Sequence, residues 1–202
     1  MNKLLERLKS IKIIRSIEPN RPTRKHQDLQ LILQINRKLS TTEASKHLNE
    51  AILNLAFYAG PRISEIVNLK LENVHLDDNK IFILHGKHGK NRWLGINKEL
   101  KPVLESYIKE KRPQSNEPYL FVLPSGDQLT RDRLEKRIKI LTNKAKLPGG
   151  LHQFRRGCLT HYANKGVPIP HLQLIAGHSN IQTTMNYIRP DVEEVIRNQI
   201  NY

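Results

Sequence analysis

Four short stretches of this chain carry side chains that together could hold a phosphodiester and attack it. Arg62 stands in AGPRISEI, Lys87 in HGKHGK, and His152 and Arg155 in HQFR; His178 follows Gly177, with Tyr187 nine residues further on. Arginine grips phosphate oxygens two at a time in a planar fork. A tyrosine hydroxyl becomes a nucleophile once its proton is removed, and with a pKa near ~10 it needs a base or a positive field beside it. Cations gathered round a tyrosine are therefore the parts for breaking and remaking a nucleic-acid backbone bond.

Each stretch alone has a plainer reading. His152 and Arg155 lie three apart, hence on one side of a helix, with Phe154, Cys158 and Tyr162 on the apolar side. Any helix start shows polar residues of this kind to solvent. Arg62 follows Gly60-Pro61 at a second helix start, where anions are favoured, yet a surface pair with Glu65 would also account for it. Lys87 sits at a tip rich in glycine and lysine. It reads as a solvated turn touching DNA, or as an acid that protonates a departing oxygen from within a groove. Lys90 and Arg92, which close the same turn, and Arg156 are assigned to DNA contact. Gly-His-Ser is a common turn between helices, and Tyr187 competes with Tyr58, Tyr107, Tyr119, Tyr162 and Tyr202. Only the order and spacing of the whole set carry the argument.

Charge points the same way. The 202 residues hold 34 Lys and Arg against 19 Asp and Glu, a net charge of +15. That excess argues for a polyanionic partner, nucleic acid before membrane, although charge alone fits a merely basic soluble protein or a small ribosome-type RNA binder equally well. Aromatic residues are only 5% of the chain, which argues against the base-stacking sheets of RNA binders. One cysteine, Cys158, cannot form an internal disulfide and is too few for a zinc site, so it is expected as a buried small hydrophobe. No apolar run approaches the ~20 residues of a membrane span. The opening MNKLLERLKSIKIIRS has no clean apolar core or cleavage site, and the expected location is cytoplasmic, at the nucleoid. A Walker motif and an acidic cluster for two-metal chemistry are both missing from the sequence.

These residues must be held by elements that the pattern also suggests. Residues 1–25 read as a basic arm that orders on DNA or a partner. Ser40-Thr41-Thr42-Glu43 looks like a capping box, followed by a helix over 41–59 with Leu48, Ile52, Leu55, Ala56 and Ala59 on its buried face. A short helix should run from Arg62 to Leu69, and strands over 80–86 and 91–96. Helices are expected near 98–110, around Leu134, Ile138, Leu141 and Ala145, and over 152–165, 168–176, 179–188 and 191–200. The fold class is α+β, mostly helical, with one small antiparallel sheet.

On these residues the chain resembles the catalytic domain of the tyrosine recombinases, the phage-integrase and Xer family. AGPRISEIVNL is similar to the family's first arginine motif, GKHGKNRWLGI to its hairpin lysine motif, LHQFRRGCLTHYANKG to its His-x-Leu-Arg-His stretch, and LIAGHSNIQTTMNYI to Leu-Gly-His followed by the nucleophile. The likeness covers residues 26–202 with all six positions filled in order. Phe154 replaces the usual leucine, Arg156 the second histidine, and Pro61 the leucine before Arg62. Upstream, the basic arm stands where most members carry a DNA-clamping domain, so a single-domain member or a fragment is expected.

The resemblance implies specific roles. Tyr187 would attack the phosphate, His152 would take its proton, and Arg62 and Arg155 would hold the non-bridging oxygens. His178 would donate to the same phosphate and Lys87 would protonate the 5′-oxygen. It implies a site-specific recombinase acting through a 3′-phosphotyrosyl intermediate, without metal or other cofactor. The partners would be double-stranded DNA and three further copies in a tetramer on two duplexes, with helix 191–200 exchanged between protomers. A monomer in isolation fits as well. Strand relaxation of the type IB topoisomerase kind, and a non-catalytic DNA-binding protein that keeps the fold, are the alternatives.

Overall fold

A computed structural model describes residues 24–84, 91–147, 149–178, 180 and 184–185. Lys87, Lys90, Tyr187, the arm up to residue 23, and the helix expected over 191–200 lie outside the described residues, as does most of that over 179–188.

Helix α2 (Glu43–Tyr58) is the spine, because its sequence is apolar on nearly every side. Leu48, Ala51, Ile52, Leu55 and Ala56 are wholly buried. Thr42 is its N-cap and accepts from the Ser45 amide at 3.1 Å. Helix α1 (His26–Leu39) crosses it, burying Leu29, Ile32, Leu33 and Asn36. That spacing of i, i+3, i+4 and i+7 is a helical signature which the sequence reading passed over. Asn36 is buried without loss because it is paired. Its Nδ2 donates to Lys46 O and its Oδ1 accepts from Asn49 Nδ2, both at 2.8 Å. Arg137 Nε in turn donates to Asn49 Oδ1 at 2.9 Å, tying in helix α5 (Arg131–Lys144).

The short helix after Gly60-Pro61 is α3 (Ile63–Val67), with Arg62 as its N-cap. Three antiparallel strands follow in the order β1 (Val74–His75), β2 (Lys80–Ile83) and β3 (Arg92–Gly95). Ile81 pairs with Leu94 and Ile83 with Arg92, so Ile81, Ile83 and Leu94 point into the core. Phe82 and Trp93 meet on the outer face with ring centroids 4.6 Å apart. The helix expected near 98–110 is helix α4 (Leu100–Ser106), running on into a π-helical turn at Tyr107–Lys111. Helices α6 (Leu151–Asn164) and α7 (Ile169–Ala176) complete the fold. The mostly helical architecture with one small antiparallel sheet is as expected.

The beginning of the folded part differs from expectation. Arg24, assigned to the arm, is buried against α6. Its amide donates to Gln153 O at 3.2 Å and its Nη2 to Leu147 O at 2.9 Å, while the guanidinium lies over the Phe154 ring. The chain runs so close here that a Cβ on Gly157 would strike the Arg24 carbonyl oxygen.

Candidate active site

Three helix ends converge on one cleft of about 750 Å³. Arg62 comes from the start of α3, His152 and Arg155 from the first turns of α6, and His178 from just beyond α7; all four line the cleft. Helix α5 forms the facing wall with Arg131, Glu135, Lys139 and Asn143.

Glycines set two of these positions. Gly60 has a φ of +64°, and a Cβ there would come within 2.9 Å of Cys158 Sγ, so α2 can end in this turn only with glycine. The Gly60 carbonyl then accepts from Arg155 Nη1 at 2.5 Å. Cys158 itself is fully buried beneath the turn, and burial pushes its thiol up to about 12 despite the Arg155 charge nearby. Gly177 ends α7 with a φ of +59°. His178 N donates back to Gln173 O at 3.1 Å, closing a Schellman-type stop that returns His178 toward the cleft.

The carboxyl end of α7 organises the arginines. Its last carbonyls have no partner within the helix and lie at the negative end of the helix dipole. Ile175 O accepts from Arg92 Nε at 2.9 Å, Ala176 O from Arg155 Nη2, and Gly177 O from Arg62 Nη2 at 2.7 Å. Three consecutive carbonyls thus bind three arginines from β3, α6 and α3.

Glu65 completes the frame. Its side chain is 4% exposed and accepts from Arg62 N at 2.6 Å, Arg62 Nη1 at 2.8 Å, and Arg92 Nη1 and Nη2 at 2.7 and 2.8 Å. Those four bonds fill what a carboxylate can accept. Burial alone would raise the Glu65 pKa, but the hydrogen bonds and charge of Arg92, then those of Arg62, bring it down to about 2. Glu65 is therefore ionised at neutral pH. The sequence offered a choice between an Arg62–Glu65 pair and a cleft-lining Arg62; both occur together.

His178 is held neutral. Burial, then the charges of Arg155, Arg62 and Arg92, lower its pKa to about 4. Arg155 Nη2 lies 3.3 Å from His178 Nε2, and an arginine can only donate. Nε2 accordingly carries the lone pair, and Nδ1–H donates to Thr184 Oγ1 at 2.9 Å. Donation from Nε2 to a phosphate needs the other tautomer. Thr184, wholly buried, can support it by turning its hydroxyl to donate to Nδ1.

Two residues assigned to DNA contact sit elsewhere than the sequence suggested. The Arg92 side chain is 10% exposed, its guanidinium spent on Glu65 and Ile175 O. Arg156 is nearly buried, because the position after Arg155 turns away from the cleft into the domain. Thr184 and the α7 carbonyls were missed, since backbone acceptors leave no trace in residue identity. Among the described residues no three His, Cys, Asp or Glu side chains cluster to hold a metal, and no helix is long and apolar enough to cross a membrane.

Residues 24–194 match the model of the phage integrase family, and the chain belongs to that family. It is 36% identical over 146 residues to a tyrosine recombinase XerA from Pyrococcus horikoshii, an alignment that covers 70% of this chain and 50% of that one. A crystal structure of XerA recombinase shares the fold with a TM-score of 0.75 and 23% identity, over 91% of this chain and 66% of that one. A XerH site-specific recombinase bound to its difH substrate in a pre-cleavage complex is similar with a TM-score of 0.70 and 21% identity, over 88% and 53%. The chain thus spans half to two thirds of the length of these relatives. The fold is that of a tyrosine recombinase catalytic domain.

Proposed function

We propose that this chain is a site-specific recombinase that cuts and rejoins double-stranded DNA through a 3′-phosphotyrosyl intermediate. The observation that carries the reading is the convergence of Arg62, His152, Arg155 and His178 on one cleft from three separate parts of the sequence. Family membership and the net charge of +15 support it.

The chemistry is as follows. The Tyr187 hydroxyl attacks the scissile phosphorus while His152, exposed at the second position of α6, takes its proton. As the phosphorane forms, Arg62 and Arg155 face the growing charge on the non-bridging oxygens. Both are braced on backbone carbonyls before DNA arrives, so little reorganisation is needed in the reaction. His178 donates to the same group through Nε2 in its second tautomer. The P–O5′ bond breaks, Lys87 protonates the departing oxygen, and a P–O bond to Tyr187 has replaced it. One phosphoester is exchanged for another, so no energy source enters. Attack by a different 5′-hydroxyl reverses the step and exchanges strands. Assembly as a tetramer on two duplexes and a cytoplasmic, nucleoid-associated location belong to the same reading. Lys90 contacts the DNA backbone.

Covalent trapping tests it. The protein is incubated with nicked suicide duplexes drawn from DNA flanking its own gene, beside Tyr187→Phe. A denaturation-resistant protein–DNA band lost in the variant is expected. A band that persists in Tyr187→Phe sinks the assignment of the nucleophile, and binding without any band sinks the activity.

A further inference from the structure

Arg92 is where structure and sequence disagree most usefully. A basic residue closing a lysine-rich hairpin would ordinarily be read as a DNA contact. Its guanidinium instead faces inward, with both Nη atoms on Glu65 and Nε on Ile175 O. We propose that Arg92 is a positioning residue for the phosphate site, acting through Glu65 on Arg62 and through the α7 terminus on His178. This rests on the functional reading above, and extends it to a residue that touches neither DNA nor the reacting atoms.

Three features support the inference. First, Arg92 and Arg62 share one carboxylate: Glu65 Oε1 accepts from Nη1 of both, so where Arg92 holds Glu65, Arg62 must follow. Second, the same guanidinium lies against Gly177. A Cβ there would stand 3.1 Å from Arg92 Cδ and Nη1, closer than an ordinary carbon contact, so the Arg92 side chain would have to give way. The residue that presents His178 is thereby pressed between Arg92 and its hydrogen bond to Arg62. Third, one planar fork spans two acceptors on different elements, which the single ammonium of lysine cannot do. Arg92→Lys therefore keeps the charge and removes the geometry.

The competing idea, direct contact with the DNA backbone, predicts opposite results. The tests use the full chain and single-turnover adduct formation on a suicide duplex that wild type traps. At saturating DNA, Arg92→Lys is expected to slow trapping by about 10- to 100-fold, with binding and its salt dependence unchanged. In an Arg62→Ala background the same change should cost clearly less than it does in wild type, because one of the two residues it acts through is gone. Losses that multiply in the double variant would overturn the proposal. So would unchanged trapping in Arg92→Lys together with a salt slope reduced by about one in the neutral variant Arg92→Gln, the mark of a lost phosphate contact.

A second readout needs no reaction. NMR of the DNA-free protein should show the Arg62 Nε–H and His178 ring signals displaced in Arg92→Lys; unmoved signals would overturn the proposal. If that variant does not fold, the wild type decides. Its Arg92 Nε–H should exchange slowly and keep its position when duplex DNA is added, whereas a shift as large as that of Arg62 would count against us. Should wild type trap no DNA, the functional reading falls while these spectra still judge the role of Arg92.

Discussion

Arg155 Nη2 stands 3.3 Å from His178 Nε2, while Nη1 of the same guanidinium holds the Gly60 carbonyl at 2.5 Å. One side chain thus orients the histidine and discourages its protonation. Two cleft-lining groups, Arg155 itself and His178, are set through a single residue on α6, whose own place is set by the turn that ends α2. Arg155→Lys keeps the charge but cannot hold both acceptors. Trapping should fall by about 100-fold or more, the scale of losing one donor to a developing oxyanion. The His178 ring signals should move with it.

Acid should expose the state of His178. Its folded pKa of about 4 lies below the ordinary 6.5, because burial and then Arg155 oppose the charged form. Between those values the unfolded chain binds a proton that the folded chain refuses. The stability tied to neutral His178 is therefore whole above pH 6.5 and is lost as the pH falls toward 4. NMR titration should find His178 neutral at pH 5.5. Urea unfolding should weaken less from pH 7 to 5 in His178→Gln than in wild type.

Glu65 governs a lower window. Held at about 2 against an ordinary 4.5, its carboxylate stabilises the fold above pH 4.5, and that contribution is lost as the pH falls through about 2. Glu65→Gln leaves Arg92 and Arg62 without their shared anion, at a cost on the order of 3 kcal/mol at pH 7. Chemical denaturation at pH 7 and pH 3 should show the gap between wild type and variant narrowing in acid.

Thr184→Val removes the partner of His178 Nδ1 while nearly preserving volume. The ring nitrogen shifts report which nitrogen carries the proton. In wild type free of DNA that should be Nδ1, and in the variant the preference should weaken. Slower trapping is expected alongside, since the second tautomer loses its donor.

Gly157→Ala should destabilise the domain by about 1–3 kcal/mol or more, since its Cβ meets the Arg24 backbone and α6 must move. Gly95→Ala is the control, with nothing within 4 Å of the added carbon. Thermal unfolding of the two variants separates these outcomes.

Much of this protein was legible in its sequence. Apolar spacing marked α2 and the buried stripe of α6, because helical periodicity is written directly in residue order. Gly60-Pro61 and Gly177 marked the breaks, since few residues but glycine adopt a positive φ without strain. Helix α1 was passed over although Leu29, Ile32, Leu33 and Asn36 carried the signal. The motif residues Arg62, His152, Arg155 and His178 could be picked out as a set by order and type, because phosphate chemistry calls for these side chains.

Tertiary structure alone decided how they are held. Nothing in the sequence says that Ile175, Ala176 and Gly177 offer their carbonyls to three arginines, because every residue has a carbonyl and only packing selects which are left unpaired and where they point. Nor could it tell Arg92 from a surface cation. A guanidinium is the same group whether it faces DNA or a buried carboxylate, and only the approach of β3, α3 and α7 puts Glu65 within its reach.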